Sequence, residues 1–358
     1  MTAYHALFAI AMPLALVNLS KDSRIELSYP FLLMFFVLFV GLRYGSVDYG
    51  GYLRIYEHVP PLASMRSPAD FFRHSVEPGY AFLTSLAKTL SVSFPAFLFG
   101  FALISLAIKF TAFRKLSPYL FLTIVLYLSE YFFKDLGQIR NAAASGIVLA
   151  GLPVLANGNR RAFVLLVLLA ASIQAVALAG LGLLFYPLFR TRRGIMFLLV
   201  VSLVVSIAGG LGALITDAGA SVFGWDRNYR IVRYMTSQYA EQFRLFGGEM
   251  SVRLFVAATL LVCHRRIVTR IPFGEIVITT NLLGVAGFLL LRDYGILAGR
   301  ISDLFFMPTE PIALAMVFAV VDRRLKPIAL LTILAYAALF FWIRSQGARP
   351  YDMILFNM

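Results

Sequence analysis

FPAFLFGFALISLAIKFTAF, residues 94–113, is a run of twenty residues in which Lys109 is the one charged side chain. A bilayer's hydrocarbon core, about 30 Å thick, is crossed by about 20 mostly apolar residues in an α-helix, so this run predicts a membrane-spanning helix. Working outward, similar apolar stretches recur at 2–19, 27–42, 118–133, 139–156, 194–214, 251–268, 274–291, 298–320 and 327–344. The pattern predicts an all-α, polytopic transmembrane helix bundle with about ten crossings, organised as a single integral membrane domain over residues 1–358. Composition agrees: 60% of residues are hydrophobic and 14% are charged, with a mean hydropathy of +0.81. A soluble fold would lack the polar surface it needs. Residues 1–19 carry no basic leader segment and no small-residue cleavage site, and are expected to stay as a first helix. Cys263 is the one cysteine, so no intrachain disulfide can form.

Two segments fit the spanning length poorly. Residues 162–189, AFVLLVLLAASIQAVALAGLGLLFYPLF, are too long for one untilted span and too short for two. They read as two short helices meeting near Gln174 and returning to the starting side. Residues 78–91 are shorter still and contain Lys88, which predicts a helix that dips into the outer leaflet.

The positive-inside bias orients the chain with both termini outside. Fifteen Lys and Arg residues then fall in the cytoplasmic loops against Asp22, Glu26 and Asp322. The outer side receives fourteen arginines and lysines and fourteen acids, most of them in two long loops near 43–78 and 215–250. The net charge of +14 is therefore mainly cytoplasmic anchoring and not a nucleic-acid surface. Long, charge-dense loops gathered on one face are where a site is expected.

Five blocks on that side could carry chemistry. GLRYGSVDYGGYLRIYEH (41–58) crowds Arg43, Tyr44, Asp48, Tyr49, Tyr52 and Tyr56 between turn-forming glycines. Such residues suit stacking and bidentate hydrogen bonding to a sugar, or equally an interfacial tyrosine belt with Arg43 reaching the headgroups. In SVEPGY (75–80), Glu77 opens a helix either as a favourable partner of the helix dipole or as a base near the membrane surface. GQIRNAAASGIVLAG (137–151) sets Gln138 and Arg140 before Ala142, Gly146 and Ala150, the four-residue spacing of a close helix contact. An arginine so placed faces either a cavity or an acidic partner, Asp135 or Glu130. WDRNYRIVRY (225–234) repeats Arg227, Arg230 and Arg233 every third residue, beside Tyr234. This is a stripe fit for a surface helix or for a phosphate clamp. LRDYGILAGRISDLFF (291–306) places Arg292 and Arg300 at an outer helix end. No phosphate-binding glycine loop, His pair at metal-ligand spacing or Asp-x-Asp pair is present, and neither metal nor cofactor is expected.

In order, RYGSVDYGGY, EPGY, GQIRNAAA, LLAASIQAVAL, YRIVRY and GRISDLFF resemble the EpsG/Wzy-type family of bacterial surface-polysaccharide polymerases across residues 41–310. The resemblance implies a multi-pass inner-membrane glycosyltransferase, similar in architecture to the C-type enzymes. Such an enzyme joins polyprenyl-pyrophosphate-linked oligosaccharide repeat units on the periplasmic face. Its implied partners are that lipid-linked oligosaccharide, membrane lipid and a chain-length regulator protein. Arg43, Asp48 and Tyr52 fall on the family's first-loop pattern, Glu77 on its Glu-Pro-Gly element, and Gln138 with Arg140 on its Gln-x-Arg element. Where the family often carries a histidine this chain has Gln174, which hydrogen-bonds but cannot act as a base. Catalysis is expected from Arg140 with Glu77 or Asp48. Substrate binding is expected from Arg43, the tyrosines of the first loop, Gln138, Gln174, the 227–234 stripe, Arg292 and Arg300. A glycan ligase would use the same donor. A lipid-oligosaccharide flippase would instead need charges at midplane and internal repeats, whereas here the charges gather at outer helix ends.

Overall fold

The computed structural model describes residues 3–17, 25–74, 76–212, 244–245 and 247–353. Helix dominates because long apolar runs with few interior breakers can satisfy their backbone groups internally, which is what a lipid environment demands. In chain order the helices are α1 (Ala3–Val17), α2 (Ile25–Gly41), α3 (Tyr49–His58), α4 (Pro78–Thr89), α5 (Phe94–Leu116), α6 (Leu120–Ser129), α7 (Phe132–Leu136) and α8 (Ile139–Ala156). They continue as α9 (Arg160–Ile173), α10 (Tyr186–Phe189), α11 (Arg192–Ile207), α12 (Gly248–Arg270), α13 (Gly274–Leu290), α14 (Gly295–Val320) and α15 (Lys326–Gln346). Each of the ten apolar stretches carries helix. Among the described residues, four helical stretches are long and apolar enough to cross a membrane: Phe94–Leu116, Ile139–Ala156, Gly295–Val320 and Arg323–Gln346. Shorter apolar helices accompany them.

The two ill-fitting segments have their own geometry. Helix α4 has twelve residues, about 18 Å of rise, which is too short to traverse the hydrocarbon core. Helix α9 stops at Gln174, whose backbone is extended, and the chain returns as a 3-10 segment, Ala175–Phe185. At Gly180 this returning segment lies so close that an added Cβ would stand 3.2 Å from Val167 and 3.5 Å from Val148. The hairpin therefore packs on itself and on α8.

Helix α14 is the axis of the bundle, buried along nearly its whole length and packed against α6, α8, α12 and α13. Gly284 of α13 makes the closest approach, since a Cβ there would sit 2.8 Å from the Phe306 amide nitrogen. The small-residue row of α8 makes a close helix contact with α5: Gly146 faces the aliphatic stem of Lys109, with a virtual Cβ 2.9 Å from Cγ.

Three acids assigned by topology to the outer surface lie inside the bundle. Glu130, Asp135 and Glu310 are 6%, 3% and 2% exposed. Asp135 takes the Lys109 ammonium, the Ser105 hydroxyl and, at 2.7 Å, the Tyr127 hydroxyl. Glu130 and Glu310 share Arg253. These pairings also divide the predicted 118–133 span, because the helix breaks at Glu130 and resumes at Phe132. Charges that hydropathy assigns to the surface are drawn inward because basic side chains on neighbouring helices meet them there.

A two-residue antiparallel pairing joins Arg43–Tyr44 to Asp352–Met353. It ties the first loop to the C-terminal segment, with Tyr351 stacked on Phe39.

Candidate functional site

Three blocks distant in sequence converge on Glu77. One of its carboxylate oxygens pairs with the Arg140 guanidinium, and the other accepts the Ala175 N–H at 3.1 Å. The Glu-Pro-Gly element makes this possible residue by residue. Pro78 supplies the fixed φ of a first helical turn. Gly79 leaves room for the end of α9, where a Cβ would come within 2.3 Å of the Ser172 hydroxyl and 2.8 Å of its carbonyl oxygen. Glu77 thus caps the returning half of the hairpin and fixes Arg140 at the start of α8. The guanidinium also lies 5.4 Å from the centre of the Tyr80 ring. Arg140 pairs with Glu77 and not with Asp135 or Glu130, both of which are committed inside the bundle.

Beside this pair opens a cavity of about 630 Å³. Its charged lining is Asp48, Lys134, Arg140, Arg300 and Asp303, joined by Tyr52, Gln138, Asn141 and Gln174. Gly51, Gly295 and Gly299 keep the walls thin. The N-terminus of α8, an eighteen-residue helix, lies at this wall and adds a positive end to the three basic side chains. Lys134 and Asn141 both reach the same Asp303 oxygen, at 3.1 and 3.0 Å. Asp48 and Arg300 make no ion pair or side-chain hydrogen bond among the described residues. Burial raises the Asp48 carboxyl above its ordinary value, against the opposing pull of Arg300, Arg140 and Lys134. Tyr52 is raised for the same reason, with Arg140 opposing. Such a cavity can bind an anion through its cations and take a proton on a carboxylate.

The first-loop and α13–α14 residues divide. Asp48, Tyr52, Gln138, Arg140, Gln174 and Arg300 line the cavity, and Glu77 stands directly behind Arg140. Arg43 does not reach it: the side chain is 2% exposed, turned inward to the Val40 carbonyl and the Ser46 hydroxyl at 3.3 Å. Tyr44 and Tyr49 form an aromatic pair at 5.1 Å, with Tyr49 edge-on to Phe94. Arg292 donates to the Ser206 carbonyl at 2.8 Å, while Asp293 accepts the Gly212 N–H at 3.0 Å, so this dipeptide stitches α13 to the end of α11. Arg227, Arg230, Arg233 and Tyr234 lie outside the described residues. Lys134, Asn141 and Asp303 join the site from positions whose sequence signal was slight. Lys134 counted there only as an outer charge, Asp303 as an acid available to Arg292 and Arg300, and Asn141 is one polar residue beside a run of alanines.

Two other hollows frame the choice. The larger, about 950 Å³, runs between Arg160, Arg161 and Leu184, Phe185, Pro187 and Leu188; its walls are apolar apart from those arginines and bear no carboxylate. A smaller one of about 270 Å³ shares Val47 with the main cavity and carries Arg344 and Arg349. Among the described residues, no group of three or more His, Cys, Asp or Glu side chains could hold a metal ion.

The EpsG family model matches residues 26–353, nearly the whole chain. No curated protein and no solved structure matches it. This chain therefore belongs to the EpsG family, a membership that implies a polysaccharide polymerase in general terms.

Proposed function

We infer that this protein transfers a growing glycan from one polyprenyl pyrophosphate onto a second lipid-linked oligosaccharide repeat unit, at the periplasmic face of the bacterial inner membrane. The observation that carries this reading is the cavity lined by Arg140, Arg300 and Lys134 together with Asp48, a carboxylate without a partner among the described residues. The neighbouring hollow with Arg344 and Arg349 supports it, because polymerisation must accommodate two lipid pyrophosphates. About ten crossings and a C-type glycosyltransferase-like architecture belong to the same reading.

Glu77 and Asp48 take different roles in this mechanism. Both oxygens of Glu77 are engaged, by Arg140 and by the Ala175 amide, which makes it a positioning residue. Asp48 is the base. The acceptor hydroxyl gives its proton to Asp48 as its oxygen attacks the anomeric carbon of the donor sugar. The bond from that carbon to the pyrophosphate oxygen breaks, and its electron pair leaves with the lipid pyrophosphate. Arg140 and Arg300 meet the charge that develops on the leaving group, and Asp48 then releases its proton to water. Preorganised donors of this kind are each worth about 10²–10³ in turnover.

The test uses the purified full chain in lipid nanodiscs with a defined polyprenyl-pyrophosphate-linked oligosaccharide. The wild type is expected to make products longer than one unit, and Arg140→Ala to lose at least about a hundredfold in rate. Absence of longer products from the wild type, or normal rates from Arg140→Ala, would overturn the proposal. Transfer to a different lipid acceptor would identify a ligase, and movement of the repeat unit between leaflets without bond formation a flippase.

A further inference from the structure

Three residues at the start of α8 that line the cavity carry buried polar atoms with no hydrogen-bond partner among the described residues. They are the Gln138 Oε1, the Arg140 Nε and the Asn141 Oδ1. Asn141 is 2% exposed, and its orientation is dictated by Asp303. The Asp303 oxygen that already takes the Lys134 ammonium at 3.1 Å also takes the Asn141 Nδ2 at 3.0 Å. A carboxylate only accepts, so the amide nitrogen must face it and the amide oxygen must face away. Gln138 and Asn141 are three residues apart, which sets them as neighbours on one side of the helix start. Folded proteins keep few buried acceptors without donors, and two such atoms at one cavity wall mark a place where a ligand supplies the hydrogens.

We propose that the first turn of α8 is a sugar subsite, in which the side-chain oxygens of Asn141 and Gln138 accept hydrogen bonds from two adjacent donor groups on a neutral glycan residue. This rests on the polymerase reading and assigns the parts of its cavity. Phosphate oxygens carry no hydrogen to give, so the pyrophosphate is not the partner of these two atoms; it belongs with Arg140 and Arg300. A cation is disfavoured beside Lys134, Arg140 and Arg300. Ring hydroxyls, or a hydroxyl next to an acetamido N–H, provide the donors at sugar spacing. A site built to pair with a hydroxyl rejects the analogue that lacks it, because its own buried acceptors are then stranded. Asn141 and Gln138 are therefore specificity-determining residues for the sugar that enters the cavity.

The experiment reads binding without turnover. The full chain in nanodiscs is titrated with methyl glucoside, methyl galactoside, methyl N-acetylglucosaminide and their monodeoxy forms by saturation-transfer NMR. One parent glycoside is expected to bind, with loss of either of two adjacent donor groups weakening it about tenfold. Asn141→Ala should bind the parent about tenfold more weakly and cease to distinguish one deoxy form, and Gln138→Ala should do the same for the other. Gln138→Ala, at the helix cap, tests the proposal independently should Asn141→Ala fail to fold. If no glycoside binds, or if both variants keep wild-type affinity and discrimination, the oxygens are served by water and the proposal fails. Hydroxyl-dependent binding in a protein that makes no polymer would overturn the polymerase reading and leave the subsite. Unaltered polymer from both variants would overturn the subsite and leave the polymerase.

Discussion

Among the described residues two clusters of arginines and carboxylates stand out, one inside the bundle and one around the main cavity, and they are built to opposite ends. Inside, Arg253 of α12 lies between Glu130, at 3.1 Å from one oxygen, and Glu310 of α14 at 2.9 Å, while Glu130 also takes Arg344 of α15 at 3.0 Å. The Tyr336 hydroxyl donates to Glu310, and the Arg253 guanidinium lies 3.9 Å from the centre of the Phe306 ring. Two positive and two negative charges cancel there. Such a network locks four elements into one register, and through Arg344 it reaches the edge of the neighbouring hollow. Around the cavity the same residue types are left incomplete. Arg140 is held by Glu77 and Lys134 by Asp303, yet Asp48 and Arg300 face the open volume without partners among the described residues. A saturated network stabilises the fold, and an unsaturated one is available to a ligand.

Breaking the inner cluster should give the largest effect on folding. Arg253→Met leaves Glu130 and Glu310 as buried neighbours without their shared cation, a loss of about 3–5 kcal/mol. It should appear as a markedly lower unfolding midpoint in detergent. Asp48→Asn should show the reverse signature, with turnover reduced on the order of a hundredfold and the unfolding midpoint unchanged or slightly raised. The sign follows from its raised pKa: ionisation is disfavoured in the folded state, so at neutral pH the wild-type carboxylate costs stability that asparagine does not. For the same reason the rising limb of wild-type rate against pH should lie above the usual carboxylate range, and rate measurements on Asp48→Asn should show that limb gone. Gly79→Ala tests the link between packing and site, since its new Cβ meets Ser172. A destabilisation of about 1–3 kcal/mol is expected, with turnover falling as Glu77 shifts. Tyr44→Ala, at an exposed ring off the cavity, should change stability by no more than about 0.5 kcal/mol and leave polymer output unaltered.

Much of the cavity was readable before any coordinates. Asp48, Tyr52, Gln138, Arg140, Gln174 and Arg300 stand out because polar and charged residues at apolar helix ends are costly and few. The same rule misplaced Arg43 and Arg292, which meet their polar requirement through backbone carbonyls of neighbouring turns. Lys134, Asn141 and Asp303 were hidden because each looks ordinary alone, and Asp303 acquires its meaning from two side chains more than 160 positions away.

The class of molecule, the positions of its apolar helices and its family can be read along the chain, since hydropathy is a property of a line. Which charges are neutralised and which are left open depends on how the helices pack. On paper Arg140 had two acidic partners, Asp135 and Glu130, yet it pairs with Glu77, because Gly79 lets α4 close on the end of α9 while Lys109 and Arg253 claim the other two. Pairing of charges is settled by which helices touch, and at close range a single missing Cβ is enough to settle it.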